Sequence, residues 1–157
     1  MLTTTASLRE YRPADAPFVE ELARSAFGEY SPRAGAPSVR AATLPGTTTL
    51  IAVVGDVPVG FATVSFHRVR HGSLRASLDA IAVVVTERGK GFGKLLLAGA
   101  ERLARERGAV EITLVTAEAN LAALDRFLSA GYAIARRFER YYPRGQNAVS
   151  MRKGLAR

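Results

Sequence analysis

The stretch VVVTERGKGFGKLLLAGAERLA, residues 83–104, changes its hydrophobic period once, and that change dictates much of what the chain can fold into. Up to Val85 the residues end a nearly continuous apolar run, SLDAIAVVV at 77–85, the pattern of a central strand covered on both faces. From Phe92 the period is that of a helix: Phe92, Leu95, Leu96, Gly99 and Leu103 share one face, while Lys94, Glu101, Arg102, Arg105 and Glu106 point away. Glu101 with Arg105, and Arg102 with Glu106, are spaced for pairing along the exposed side, and Gly108 ends the helix. A buried strand that passes through a glycine-rich turn into an amphipathic helix requires a layered arrangement, with the helix laid back on the sheet.

The flanking sequence supplies the other layers. TASLREY alternates as a strand, and Asp15 stands where its side chain caps a helix carrying Phe18, Leu22, Ala26 and Phe27 at helical spacing. A Pro/Gly/Ala-rich stretch with room for a short helix follows. TTTLIAVV and VPVGFATVSFHRV are β-rich runs joined by Gly55-Asp56, a hairpin signal that pairs them antiparallel. Beyond Gly108, AVEITLVT reads as another buried strand, Asn120 as the cap of the helix LAALDRFLSA and Gly131 as its terminator. Residues 132–140 and 146–153 read as two closing strands. The order β, α, (α), β, β, β, α, β, α, β, β specifies an α/β (α+β mixed) fold, a mixed central sheet of about six to seven strands flanked by about four helices, in one domain over residues 1–157.

Composition narrows the function classes. Hydrophobic residues at 48% and charged residues at 23% exclude fibrous and disordered chains. The lack of cysteine removes disulfides, thiolate metal sites and cysteine nucleophiles together, so a cytoplasmic setting and no metal are expected. No apolar run approaches the roughly 20 residues that span a bilayer. MLTTTASLREYRP also lacks the apolar stretch of a signal peptide, so no membrane partner is expected. From Asn120 onward eight basic residues stand against Asp125 and Glu139, which places six of the eight net positive charges in that segment. A second cluster, HRVRHGSLR, holds no acid. Such charge attracts anions. The basic segments lack the interleaved aromatics on which bases stack, which argues against nucleic acid and for solvated faces.

Gly89, Gly91 and Gly93 permit positive φ and close approach of the backbone to a ligand. Amide N–H groups at such a turn, the positive end of the helix dipole behind them, and Arg88, Lys90 and Lys94 alongside make a site suited to a pyrophosphate; a structural tight turn is the plainer alternative. The spacing is not G-x-G-x-x-G with an acid closing the next strand, nor G-x-x-x-x-G-K-[ST], so neither common nucleotide loop applies.

Arg88-x-x-Gly91-x-Gly93 after an apolar strand resembles the pyrophosphate-binding signature of the GNAT (GCN5-related N-acetyltransferase) superfamily, which binds acetyl-CoA. NLAALDRFLSAGY is similar to that superfamily's N-x-x-A-x-x-x-Y-x-x-x-G-F, with Asn120, Ala123, Gly131 and Tyr132 in place, and LREYRPADAPFVEELARSAF is similar to its opening strand and helix. The resemblance implies acetyl-CoA as cosubstrate. It implies that Ile81, Ala82, Val83 and Val85 offer backbone groups to the acetyl and pantetheine portions, and that Arg88, Gly89, Lys90, Gly91, Phe92, Gly93 and Lys94 hold the pyrophosphate through main-chain amides. Asn120 then contacts the pantetheine arm or caps the next helix, and Phe127, at the position of the motif tyrosine, belongs to the same cofactor-binding set. RRFERYYPRGQNAVSMRKGL resembles the end of ribosomal-protein alanine N-terminal acetyltransferases, with Tyr141, Tyr142 and Pro143 matching, which points to a peptide N-terminus as acceptor. Two positions depart from that subfamily: its glutamate base is Val115 here, and its tyrosine acid is Phe127.

Attack of an amine on a thioester requires loss of an amine proton, stabilisation of an oxyanion and departure of a thiolate. A backbone N–H at Val83 or close by suits the oxyanion. Asp79, on the central strand, is the leading replacement base, and Tyr141 and Tyr142 offer a phenol near the thioester or line the acceptor channel. Glu118 reads as a favourable charge at a helix N-terminus, and His67 and His71 read as surface residues. The expected function is acetyl transfer to a small-molecule amine or a peptide N-terminus, by a monomer or homodimer. The alternative, motivated by Val115 and Phe127, is an acyl-CoA-binding domain without turnover that acts as a sensor or interaction module. The acceptor loops are residues 28–46, 66–76 and 140–147, and their arginines suit a carboxylate-bearing acceptor.

Overall fold

The computed structural model describes residues 5–31, 42 and 44–155. Seven strands form a mixed sheet: β1 (Ala6–Glu10), β2 (Thr47–Val54), β3 (Val57–Arg68), β4 (Leu74–Val83), β5 (Ala109–Ala117), β6 (Ala133–Phe138) and β7 (Ala148–Gly154). Their order is β1-β2-β3-β4-β5-β7-β6. Every neighbouring pair is antiparallel except β4 with β5, and that parallel pair is joined by the crossover helix it requires, α2 (Phe92–Glu106). α1 (Ala16–Phe27) and α3 (Leu121–Ser129) are the other α-helices given in full by the described residues, and Ala42 is helical as well. The Pro/Gly/Ala-rich stretch expected to hold a further short helix falls largely outside the described residues. Gly55, at φ 61°, turns the β2–β3 hairpin, with Val54 opposite Val57 as the sequence requires. No described helix is long and apolar enough to cross a membrane.

The sheet has a core on each face. Ala52, Ala62, Val64, Leu78, Ile112, Leu114 and Met151 pack with Leu96, Leu97, Ala100 and Ala104 of α2. Ile51, Val53, Phe61 and Ala82 pack with Val19, Leu22 and Ala23 of α1. Each large side chain so buried contributes about 1.5 to 3 kcal/mol of transfer free energy. The buried face of α2 is rotated from the one that the periodicity suggests: Leu95 and Leu103 are only half-buried, while Glu101, expected to face solvent, is buried. Glu101 accepts from Lys153 Nζ at 2.5 Å instead of pairing with Arg105, and the same ammonium donates to the Ala130 carbonyl at 2.7 Å. Lys153 arrives from β7, so no pattern within α2 could reveal it. The other expected pair, Arg102 with Glu106, forms at 3.0 Å.

One irregularity sets up the site. Thr63 lies opposite Ala80 and Val64 opposite Leu78, which leaves Asp79 as the extra residue of a β-bulge. In a regular strand residues 76, 78, 80 and 82 would face the same way. The bulge inverts the phase, so that Ala76 and Leu78 join the α2 core while Ala80 and Ala82 join the α1 side. At the same place β4 parts from β5. Pairing runs from Leu74 to Leu78, with Leu78 opposite Leu114 as the last pair, yet β4 continues to Val83 and β5 to Ala117.

Asp15 does not cap α1. Its carboxylate accepts from both terminal nitrogens of Arg9, at 2.7 and 2.8 Å, and from the Arg12 amide at 2.7 Å, locking the turn between β1 and α1. It is only 4% exposed, and the Arg9 guanidinium holds its carboxyl below the usual carboxylate range. Because the folded pKa is depressed, this stabilisation is complete above the unfolded value of about 3.9 and is lost as pH falls through the lower folded value. Asp15→Ala is therefore expected to lower the unfolding free energy by about 3 kcal/mol at neutral pH. In urea titrations the gap between the two proteins should narrow once the pH drops below the ordinary carboxylate range.

Candidate functional site

The chain leaves β4 through a single turn at Val85–Glu87, in which the Glu87 amide donates to the Val84 carbonyl and the Arg88 amide to the Val85 carbonyl. Gly89 and Gly91 then adopt left-handed φ of 79° and 92°, a region that costs side-chain-bearing residues about 1 to 2 kcal/mol. The first hydrogen bond of α2 runs from the Leu95 amide to the Gly91 carbonyl, which leaves the amides of Phe92, Gly93 and Lys94 as free donors at the positive helix end. They border an open cleft of about 300 Å³, bounded also by Val83, Glu87, Arg88, the two left-handed glycines and, from α3, Arg126. Lys90 is engaged by Glu87 at 3.1 Å, and Arg88 Nε donates to the Val83 carbonyl at 3.3 Å. Lys94 and Arg126 carry no ion pair among the described residues, so their charge is available to an anion in the cleft.

The strand edge beside this cleft starts at Asp79. Ile81 is half-buried, Ala82 and Val83 are buried, and Val85 is exposed. Past Leu78 the edge of β4 that faced β5 has lost its strand partner, so backbone donors and acceptors on that side, apart from the Val83 carbonyl that Arg88 engages, are left to pair with an extended ligand. Asp79 is exposed at the start of the gap, and its Oδ1 accepts from Ser77 Oγ at 2.8 Å. Val115 is the first β5 residue past the last pair; it is 43% exposed, on the sheet face away from Ile112 and Leu114.

Asn120 Oδ1 accepts from the Ala123 amide at 3.2 Å, so of its two implied roles the helix cap is formed. Gly131, at φ 96°, ends α3 as expected, with the Tyr132 amide returning to the Phe127 carbonyl. Phe127 lies in the core at 4% exposure, edge-on to Tyr132 with ring centres 5.7 Å apart. Tyr132 is buried and its hydroxyl has no partner among the described residues; burial pushes that phenol well up.

Across the sheet, the loop before β7 meets the end of α1. The ring of Tyr142 lies 5.0 Å from those of both Tyr30 and Tyr141, and Tyr141 lies 5.5 Å from Phe138. Gln146 Nε2 donates to the Glu29 carbonyl at 3.0 Å and ties the two segments. Burial pushes the Tyr142 phenol up to about 12, while Tyr141 is half-exposed. Glu118 accepts from Arg137 and from Asn147, and the Arg137 guanidinium holds its carboxyl below the ordinary range, which makes it a weaker base. His67 lies opposite Arg75, near the start of β4, and His71 sits in the following turn; both are at the end of β4 remote from the cleft. Arg126 is the residue that sequence reasoning missed. Its signal was merely a share in the basic C-terminal segment, because its position depends on how α3 packs against α2.

Residues 16–132 match the Acetyltransferase (GNAT) family. No curated protein matches the chain in sequence. Among solved structures the chain is similar to Ard1 from Thermoplasma volcanium, with a TM-score of 0.81 and 22% identity over 97% of this chain and 99% of that one. It is similar to the ribosomal-protein-S18-alanine N-acetyltransferase from Escherichia coli, at 0.81 and 19% over 98% and 96% of the two chains. Arabidopsis thaliana NAA60 in complex with acetyl-CoA gives 0.81 and 16%, over 96% and 99%. At such identities these likenesses concern the fold; the family match spans most of the chain and includes both the glycine turn and the Asn120 helix, and the chain belongs to the Acetyltransferase (GNAT) family.

Proposed function

We propose that the protein is an acetyl-CoA-dependent N-acetyltransferase that passes the acetyl group directly to a primary amine, of a small molecule or a peptide N-terminus. The observation that carries this reading is the parting of β4 from β5 beside the glycine turn. Strand-edge groups from Asp79 to the Val83 amide suit the amides of a pantetheine arm, and the free amides at the start of α2 suit the diphosphate that follows it. The Asn120 cap occupies the side-chain oxygen and leaves its NH₂ to meet a pantetheine carbonyl.

In the reaction the amine nitrogen bonds to the thioester carbon, the C–S bond breaks, the thiolate leaves and the amine proton goes to a base. An α-amine with a pKa of about 8 is roughly a quarter neutral at physiological pH, whereas a lysine amine near 10.4 is neutral about one part in a thousand. A weak base therefore suffices for an N-terminus. Asp79 stands where the strands part and takes that role, through a water. Burial raises the Tyr142 phenol, which makes it a weak acid towards the departing thiolate, and a thiolate whose thiol titrates near 8.5 can take its proton from water. Tyr142 serves as a hydrogen-bond donor and as a wall of the acceptor channel, with Tyr141 and Tyr30 beside it. The Tyr141-Tyr142-Pro143 segment and the likeness to N-terminal acetyltransferases favour a peptide N-terminus. A second reading, acyl-CoA binding without turnover, is supported by Val115 and Phe127, which bring no proton carrier to the positions expected to hold one.

Calorimetry with CoA and acetyl-CoA, and thiol release over a panel of amines and N-terminal peptides, test both readings. Saturable binding with thiol release is expected; binding without release on any acceptor supports the second reading, and no binding overturns both. Asp79→Asn should lower kcat/KM by roughly a hundredfold at neutral pH, with the deficit narrowing as pH rises through the amine's own pKa of about 8. Tyr142→Phe should raise the acceptor KM while kcat stays within about threefold. Gly91→Ala meets no neighbouring atom but must adopt a left-handed φ, so urea unfolding should show a loss of about 1 to 2 kcal/mol together with weaker CoA binding.

A further inference from the structure

Gly93 is a glycine for a reason other than backbone conformation. It lies in the first turn of α2 with no positive φ, and in a helix glycine is less favourable than alanine by about 1 kcal/mol. Space is what it provides. A Cβ at Gly93 would stand 2.8 Å from Arg126 Nη1 and 3.0 Å from its Cζ, so the guanidinium lies directly over the main chain of that residue. The arginine comes from α3 and reaches the cleft without an acid to pair with among the described residues. It shares that cleft with Arg88, Lys94, the positive end of α2 and one carboxylate, Glu87, which Lys90 already engages, so the site keeps an excess of positive charge that an anion would relieve.

We propose that Arg126, seated in the space left by Gly93, is a phosphate ligand of the coenzyme, its guanidinium binding the diphosphate beside the main-chain amides of α2. The inference rests on the functional reading above and adds a side-chain cation to a site otherwise built from backbone. A planar guanidinium donates two parallel hydrogen bonds to phosphate oxygens, which a lysine or a further amide cannot do. The pairing also explains how the two sequence motifs cooperate: the glycine turn holds Gly93, the Asn120 helix holds Arg126, and only the packing of the two helices assembles the ligand set.

The test is calorimetry of the full-length protein with CoA and with 3′-dephospho-CoA, for wild type, R126Q, G93A and the double variant. R126Q is expected to weaken both ligands by roughly tenfold or more. G93A should weaken them to a similar degree by displacing the guanidinium, although alanine is the better helix former and its melting temperature should equal or exceed that of the wild type. The double variant should bind little worse than R126Q alone. Wild-type binding with R126Q unchanged, or weakening confined to CoA, overturns the diphosphate assignment, the latter by transferring Arg126 to the 3′-phosphate. G93A binding as wild type while R126Q is weakened overturns the seating role of Gly93. Failure of the wild type to bind CoA overturns instead the functional reading on which the inference stands.

Discussion

A parallel pair of strands that stops pairing halfway is the constraint from which the rest of this structure takes its sense. In a sheet interior an unpaired strand edge is costly, because backbone donors and acceptors removed from water must find partners. Here β4 and β5 are held together up to Leu78 and Leu114 and are then released, with the bulge at Asp79 at the point of release. The bulge inverts which face each later residue presents, so that β4 remains packed on both sides while its edge is open. The packing of Ala80, Ala82 and Val83 thus supports a free edge that their side chains alone would not suggest.

The charge distribution follows a similar division of labour. The net charge of +8 is no uniform field. Arg9 is held by Asp15, Arg137 by Glu118 and its near neighbour Glu139, and Lys153 by Glu101, and the Asp15, Glu118 and Glu101 pairs each tie one segment of the fold to another. The cations around the start of α2 differ, because Lys94 and Arg126 carry no ion pair among the described residues, and the one carboxylate in their cleft, Glu87, is engaged by Lys90. Local repulsion of that kind is tolerable at a surface and favourable once an anion arrives, which is the usual economy of a phosphate site.

Much of the architecture was legible in the chain. The β-rich runs of β2 and β3, the two-residue hairpin, the Asn120 cap and the Gly131 terminator are local signals, carried by residues that meet within a few positions of one another. Failures of local reasoning share one cause. Asp15 looked like a helix cap because it precedes α1, yet Arg9 from β1 claims its carboxylate. Glu101 looked solvent-facing because it falls outside the apolar stripe, yet Lys153 from the end of the chain buries it. In both cases a charge-assisted hydrogen bond to a residue of another element, six positions away for Asp15 and 52 for Glu101, outweighs the local helix preference.

The sequence by itself determined the element order, the glycine turn between a strand and a helix, and the two motifs that place the chain in its family, since these depend on spacing along the backbone. Tertiary structure decided where β4 and β5 separate, which face α2 buries, and that Arg126 lies over Gly93. Those depend on register and on the packing of elements far apart in the chain, and neither period nor composition encodes the distance between two helices.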